Sequence, residues 1–205
     1  MPEKNVLMPE QETSRQLFDL HGKLYSPEQC RVLLEKLIEE VDWQRDYVAF
    51  GRHFDVPRLQ AWYADDGVHY RYGDNLLQSH SWIPLLQSIK QAVEERSGLC
   101  AEQGFNSVLV TYYRDGQDHV TWHADDEPEL GPLPVIASLS LGSSREFHYR
   151  HKSRDEKASM PLHDGELLIM QPEFQQHWEH AIVPQPEVDE PRINLTFRRV
   201  LMARE

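Results

Sequence analysis

The chain has 205 residues, 40% of them hydrophobic and 27% charged, and its 21 basic and 34 acidic side chains leave a formal charge of −13. That balance fits a folded domain; it excludes a wholly disordered chain and polyanion binding driven by net charge. The two cysteines, Cys30 and Cys100, are too few for a cysteine-framed zinc site or a disulfide scaffold, so a reducing compartment is expected.

Apolar runs such as Leu167 to Met170 fall well short of the roughly 18 residues that a membrane span needs. The N-terminus lacks the apolar core of a secretory signal. The expectation is a cytoplasmic monomer without membrane contact, with an N-terminal extension at 1–20 and one domain over 21–205.

Residues 1 to about 20 are polar and aperiodic, which reads as an extension or a lead strand. Ser26-Pro-Glu-Gln29 then signals a helix start: serine caps, proline takes the first helical position and Gln29 completes a capping box. Val32, Leu33, Leu37, Ile38 and Val41 form its apolar stripe, so this helix runs to about residue 41. Residues 42–80 are rich in aromatics, glycine and aspartate. Tyr47 to Phe50 and Ala61 to Tyr63 read there as short strands joined by loops. A second helix is predicted from about Ile83 to Ser97, with Leu85, Leu86, Ile89 and Val93 on one face and Gly98 as its stop. After residue 104 strands dominate: Ser107 to Tyr113, Val135 to Leu141, Glu146 to Arg150, Glu166 to Gln171 and Arg192 to Leu201. Helices before a run of strands give an α+β domain, or a β-sandwich with packed helices.

Two features carry chemistry. His123-Ala-Asp125 puts two metal-capable side chains on one face of an extended segment. A third ligand must come from elsewhere, and both His177 and His180 are candidates. Two histidines and one carboxylate leave open positions on a metal, as non-haem Fe(II) oxygenases require; the bland reading is a polar surface pair. In Arg192-Ile-Asn-Leu-Thr-Phe-Arg198, alternation sets Arg192, Asn194, Thr196 and Arg198 on one face. That face is either solvated or the lining of a cavity. In a cavity, the arginine fork suits a dicarboxylate.

Together these runs resemble the AlkB-type demethylases, from about Tyr25 to Leu201 and in the same motif order. The resemblance is carried by the stretch from Asn106 through His123-Ala-Asp125 to Pro128. It is carried also by Ile136-Ala-Ser-Leu-Ser-Leu-Gly-Ser-Ser-Arg-Glu-Phe147, by Gly165-Glu-Leu-Leu-Ile-Met170 and by Pro191 to Arg198. It implies a double-stranded β-helix (jelly-roll) core over about 104–201, N-terminal helices packed on one sheet, and a nucleotide-recognition region at about 42–80. It implies Fe(II), with 2-oxoglutarate and O2 as co-substrates. His123, Asp125 and His180 are the implied iron ligands; His180 stands the family's 12 residues before Arg192, and His177 does not. Arg192 and Arg198 are the implied 2-oxoglutarate grips, with Tyr113, Asn194 and Thr111 beside them, Thr111 standing where the family usually has asparagine. Tyr72 and Tyr70 match nucleobase-pocket tyrosines, Asp126 and Glu127 match contacts to the damaged base, and Phe50 matches an apolar wedge. The implied activity is oxidative demethylation of 1-methyladenine and 3-methylcytosine in DNA, and in RNA as a further substrate, with release of formaldehyde.

The alternatives are the same chemistry on a protein side chain or a modified tRNA base, and a non-catalytic jelly-roll module. Arg145, Arg150, Lys152, Arg154 and Lys157 form the densest basic cluster, read either as phosphate contacts or as a solvated hairpin, and Arg52 and Arg58 are further candidate contacts. The loop from Pro184 to Pro191 is acidic. It would repel a second strand, so single-stranded or locally opened DNA is the expected partner.

Overall fold

The structure is a computed structural model that describes residues 17–49, 52–72, 75–76, 79–99 and 104–201; at 46–49, 52–54, 71–72 and 75–76 the backbone alone is described. Its first strand, β1 (Phe18–Lys23), pairs with β12 (Glu166–Met170) at the edge of the larger sheet. The expected extension therefore ends earlier than residue 20, because Phe18 is buried and anchors the strand. Ser26 then caps α1 (Pro27–Glu40) with the full capping box: its hydroxyl accepts from Gln29 N, and the Gln29 side chain accepts from Ser26 N. α2 (Pro84–Ser97) ends at Gly98 with φ +69°, a left-handed conformation that glycine adopts without strain.

Between the helices lie β2 (Gln44–Ala49), β3 (Arg52–Ala64), β4 (Arg71–Tyr72), β5 (Asn75–Leu76) and β6 (Ser79–His80). The short strand expected at 61–63 is the end of the 13-residue β3. Pro57 and the charged Asp55 and Arg58 hide this continuity, which pairing with β2 and β7 imposes.

The rest is β7 (Ser107–Tyr113), β8 (Val120–His123), a single 3₁₀ turn at Pro128–Leu130, β9 (Ile136–Gly142), β10 (Arg145–His151), β11 (Lys157–Leu162), β12, α3 (Pro172–His177), β13 (Trp178–Ile182) and β14 (Arg192–Arg198). The sequence patterns anticipate β7, β9, β10, β12 and β14 to within a residue or two, except that β14 stops at Arg198, short of Leu201. They do not anticipate β8, β11, β13 or α3.

An eight-stranded sheet runs β1-β12-β9-β14-β7-β3-β2, with β6 parallel to β3, and a four-stranded sheet runs β11-β10-β13-β8. Ile193, Leu195 and Phe197 of β14 pack outward with Leu37 of α1 and Leu86, Ile89 and Val93 of α2. Each such full burial stabilises by about 1.5–3 kcal/mol. A second core joins Trp62, Tyr113, Leu168 and Met170 of the large sheet to Phe147, Tyr149, Trp178 and Ile182 of the small one. Two facing sheets, with both helices on the outer face of one, are the jelly-roll layering expected. Among the described residues no helix is long and apolar enough to cross a membrane.

Candidate active site

Because the odd residues of β14 bury themselves under the helices, period-two alternation sends Arg192, Asn194, Thr196 and Arg198 between the sheets. Every residue of β14 is buried, so the strand has no solvated face. These four line a cleft of about 690 Å³, mouth included, with Thr111 and Tyr113 of β7, Ser138 of β9, and His123, Asp125 and His180.

At one end, Arg192 is 1% exposed. Its Nη2 donates to Ser140 Oγ at 3.0 Å and Asn194 Oδ1 at 2.8 Å, while Nε and Nη1 have no partner. Its guanidinium stands 5.1 Å from the Tyr113 ring centre. Burial lowers its pKa to about 10, Tyr113 opposes the shift and Arg145 adds to it, so Arg192 stays charged at neutral pH. Asn194 is held in turn by Ser138 Oγ and Thr196 Oγ1. Buried donors without acceptors, on a charged group among neutral ones, call for an anion.

At the other end, His180 of β13 lies opposite His123 of β8, and their rings are 4.2 Å apart. His123 Nδ1 must donate to Thr121 O at 2.8 Å, which leaves Nε2 as the basic nitrogen. Burial lowers both imidazoles, His180 to about 3, so both are neutral at pH 7. Asp125 is fully buried. Burial alone would raise it, but Arg198, His180 and His123 outweigh that and hold it at about 2. Its Oδ1 accepts from Arg198 Nη2 at 2.7 Å, and its Oδ2 has no partner. Burial opposes Arg198's charge, yet Asp125 raises its pKa above the usual arginine value.

No three His, Cys, Asp or Glu side chains among the described residues already stand in metal-binding geometry. The donors nevertheless fit Fe(II): two neutral imidazoles and a carboxylate share one cavity, with Asp125 Oδ2 and His180 Nδ1 both buried without partners. Asp125, whose Oδ1 faces Arg198, would engage a metal through Oδ2 or by turning its carboxylate. His177 does not join the group. It is exposed at the end of α3 and stacks on His151.

The proposed base contacts separate. Tyr70 is fully buried, 5.9 Å from the Arg198 guanidinium, and its hydroxyl faces the Glu127 carboxylate. Glu127 lies in the same charge network; burial and then Asp125's charge raise its pKa. Neither lines the cleft itself, nor does Asp126, which is exposed and bound to Lys152. Tyr72 lies in β4, with its side chain outside the described residues, and Phe50 lies wholly outside them.

The basic cluster does not survive as a unit. Arg145 is buried and donates to the carbonyls of Asp115, Gly116, Asp118 and Val183 and to Gln185 Oε1, clipping two loops together. Gly116 permits that closure: a Cβ there would sit 1.7 Å from Gln185 O. Arg150 pairs with Glu179 and covers Trp122, Lys152 binds Asp126, and Arg154 binds Glu156. Arg58 lines the cleft and donates to His119 O. Ser138, Ser140 and Gln175 are site-building residues that the sequence reading missed. The alternation of Ser138 and Ser140 within an apolar strand was the available signal.

A family model described as the 2OG-Fe(II) oxygenase superfamily matches residues 17–198. Human DNA oxidative demethylase ALKBH2 is 37% identical over 89% of this chain and 73% of its own length. Rat alpha-ketoglutarate-dependent dioxygenase alkB homolog 3 is 39% identical over 82% of this chain, which spans 59% of that protein. In fold the chain is similar to a structure titled OsALKBH1, with TM-score 0.54, 20% identity and coverage of 89% and 97% of the two chains. It is also similar to a Pseudomonas putida prolyl-4-hydroxylase, with TM-score 0.55, 13% identity and coverage of 89% and 92%. The matched span contains both sheets and every cleft residue named above: the chain belongs to the 2OG-Fe(II) oxygenase superfamily and, within it, to the AlkB family.

Proposed function

We propose that this oxygenase demethylates 1-methyladenine and 3-methylcytosine in DNA, and in RNA as a second substrate. The observation that carries the reading is the pairing, in one cleft, of a buried arginine with unfilled donors and a cluster of two neutral imidazoles and a carboxylate. The names of the relatives support DNA as the substrate. Fe(II), held by His123, Asp125 and His180, would supply activation of O2 coupled to conversion of 2-oxoglutarate to succinate and CO2. Arg192, oriented by Asn194 and Ser140, grips one carboxylate of 2-oxoglutarate, and Tyr113 shields it. Arg198 holds Asp125 in its ionised form, and its unpartnered Nε and Nη1 leave it donors for the 2-oxoglutarate contact expected of it. Tyr70 and Glu127 lie outside the cleft lining, beside Arg198 and Asp125, and in this reading a cationic methylated base that reached them would gain from an aromatic face and a carboxylate. Hydroxylation of the N-methyl group gives an N-hydroxymethyl base, which loses formaldehyde and leaves the unmodified base.

Single-stranded or opened DNA is the preferred form in this reading. Glu187, Asp189 and Glu190 repel a second strand, and the hairpin cations Arg150, Lys152 and Arg154 are already paired with carboxylates. The test is formaldehyde release from a methylated single-stranded oligonucleotide with Fe(II), ascorbate and 2-oxoglutarate, beside Asp125→Ala. Release that requires 2-oxoglutarate and Asp125 is the expected result. Succinate production without formaldehyde from any methylated DNA or RNA would overturn the substrate. Faster turnover of duplex than of single strand at both low and high salt would overturn the strand preference.

A further inference from the structure

Asp125 lies two residues beyond the last paired residue of β8. Sheet pairing no longer serves its peptide N–H there, although the residue is fully buried. The N–H is met instead by Gln175 Oε1 at 2.9 Å, from the middle of α3. Gln175 is itself buried to 1%, and its Nε2 points to Met170 Sδ at 3.4 Å. A peptide N–H can only donate, so it must meet the oxygen of the Gln175 amide and not its NH2, and Asp125 thereby fixes the orientation of this side chain. Burying a primary amide costs free energy that one N–H contact and one weak sulfur contact scarcely offset. The next residue, Asp126, is held by Lys152 Nζ at 2.7 Å, and the same ammonium binds Gln175 O at 2.8 Å. The chain thus closes a ring through Asp125, Asp126, Lys152 and Gln175, tying the corner after β8 to α3 and to the end of β10. Neither Gln175 nor Lys152 lines the cleft.

We propose that Gln175 and Lys152 are positioning residues that set the backbone of the metal-binding carboxylate, Gln175 directly and Lys152 through Gln175 and Asp126. This inference rests on the metal-site reading above. Arg198 restrains the Asp125 carboxylate and Gln175 restrains its peptide, so the ligand is fixed at both ends. Gln175 carries the greater part. Lys152 is 29% exposed and its carboxylate partner 57% exposed, so water weakens that link.

The test is Mn(II) affinity of the metal-free full-length chain in the presence of 2-oxoglutarate, read by electron paramagnetic resonance, with thermal melting alongside. Outer-shell partners of metal ligands typically contribute 10–100-fold in affinity. Gln175→Leu, which removes the acceptor at similar size, should weaken Mn(II) about tenfold or more. It should also raise the ratio of succinate to formaldehyde. Gln175→Glu, which restores an acceptor, should recover affinity to within about threefold. Lys152→Met should weaken affinity by about two- to threefold. Combined with Gln175→Leu it should add less than the product of the two, because both act on one corner. Unchanged Mn(II) affinity in Gln175→Leu, with only a lower melting temperature, would overturn the proposal. If Gln175→Leu does not fold, Lys152→Met decides, and unchanged affinity there overturns it equally. Should the native chain and Asp125→Ala bind Mn(II) alike, it is the metal-site reading that fails. Asp125-dependent binding that ignores Gln175 and Lys152 defeats this inference alone.

Discussion

Arg192 and Arg198 stand on the same face of one strand, 1% and 3% exposed, and the fold treats them in opposite ways. Arg192 touches only neutral oxygens and a ring, and burial lowers its pKa to about 10. Arg198 meets a buried carboxylate that outweighs the same burial and raises it. A buried charge without a counter-ion is a cost that a ligand can remove; a buried ion pair is a fixed part of the structure. The contrast is one of charge, not of free donors: Arg192 has no counter-ion and Arg198 has Asp125, while each keeps its Nε and Nη1 buried without a partner.

The largest expected effect comes from cutting the paired end at its acid. Asp125→Ala should abolish formaldehyde release, and full activity would refute the metal assignment. It also strands the Arg198 charge, so melting should show a loss of about 3–5 kcal/mol.

Next, Arg198→Met and Arg192→Met should differ in kind. Arg198→Met leaves Asp125 buried and unpaired, with a comparable loss at neutral pH. Asp125 is held below its unfolded value of 3.8, at about 2. The pair therefore contributes fully above 3.8 and fades as pH falls toward 2, so the deficit of Arg198→Met should shrink across that window. Arg192→Met should melt at or above the native temperature while raising the 2-oxoglutarate KM by 100-fold or more. Equal destabilisation by the two variants would mean that the two arginines do not differ in how burial is compensated.

A smaller effect sharpens the same contrast. At 100 times its Kd, 2-oxoglutarate should stabilise the native chain by about 2.7 kcal/mol. That gain should vanish in Arg192→Met, and calorimetric melts with and without the ligand would measure it. Smallest of all, Arg150→Ala opens an ion pair at the surface, where solvent leaves less than about 1 kcal/mol. A larger loss in a denaturant titration would mean that hairpin charges matter more to the fold than their exposure implies.

Much of this was legible in the sequence for local reasons. The capping box at Ser26 and the left-handed stop at Gly98 are settled within a few residues of chain, and both stand as read. The alternation of β14 marked its two faces, but only the helices on one side and the small sheet on the other show that its polar face is enclosed. β8 and β13 escaped the pattern because they are short and carry site residues where apolar ones would signal a strand. β3 escaped because a proline and charges interrupt a pattern that pairing completes. Arg145 misled for a tertiary reason. Its partners are loop carbonyls, and a carbonyl leaves no mark in the sequence.

The same division runs through the site. Side-chain chemistry is written in the chain itself, so the sequence alone determined the donors: His123, Asp125, a histidine near 180, and arginines at 192 and 198. Which histidine faces the cleft, which arginine is neutralised, and what holds Asp125 in place depend on distances between residues 50 to 73 positions apart. Those distances are products of strand register and packing. Only the tertiary structure decided them, because burial and proximity, not residue type, set the charge that each of these groups carries.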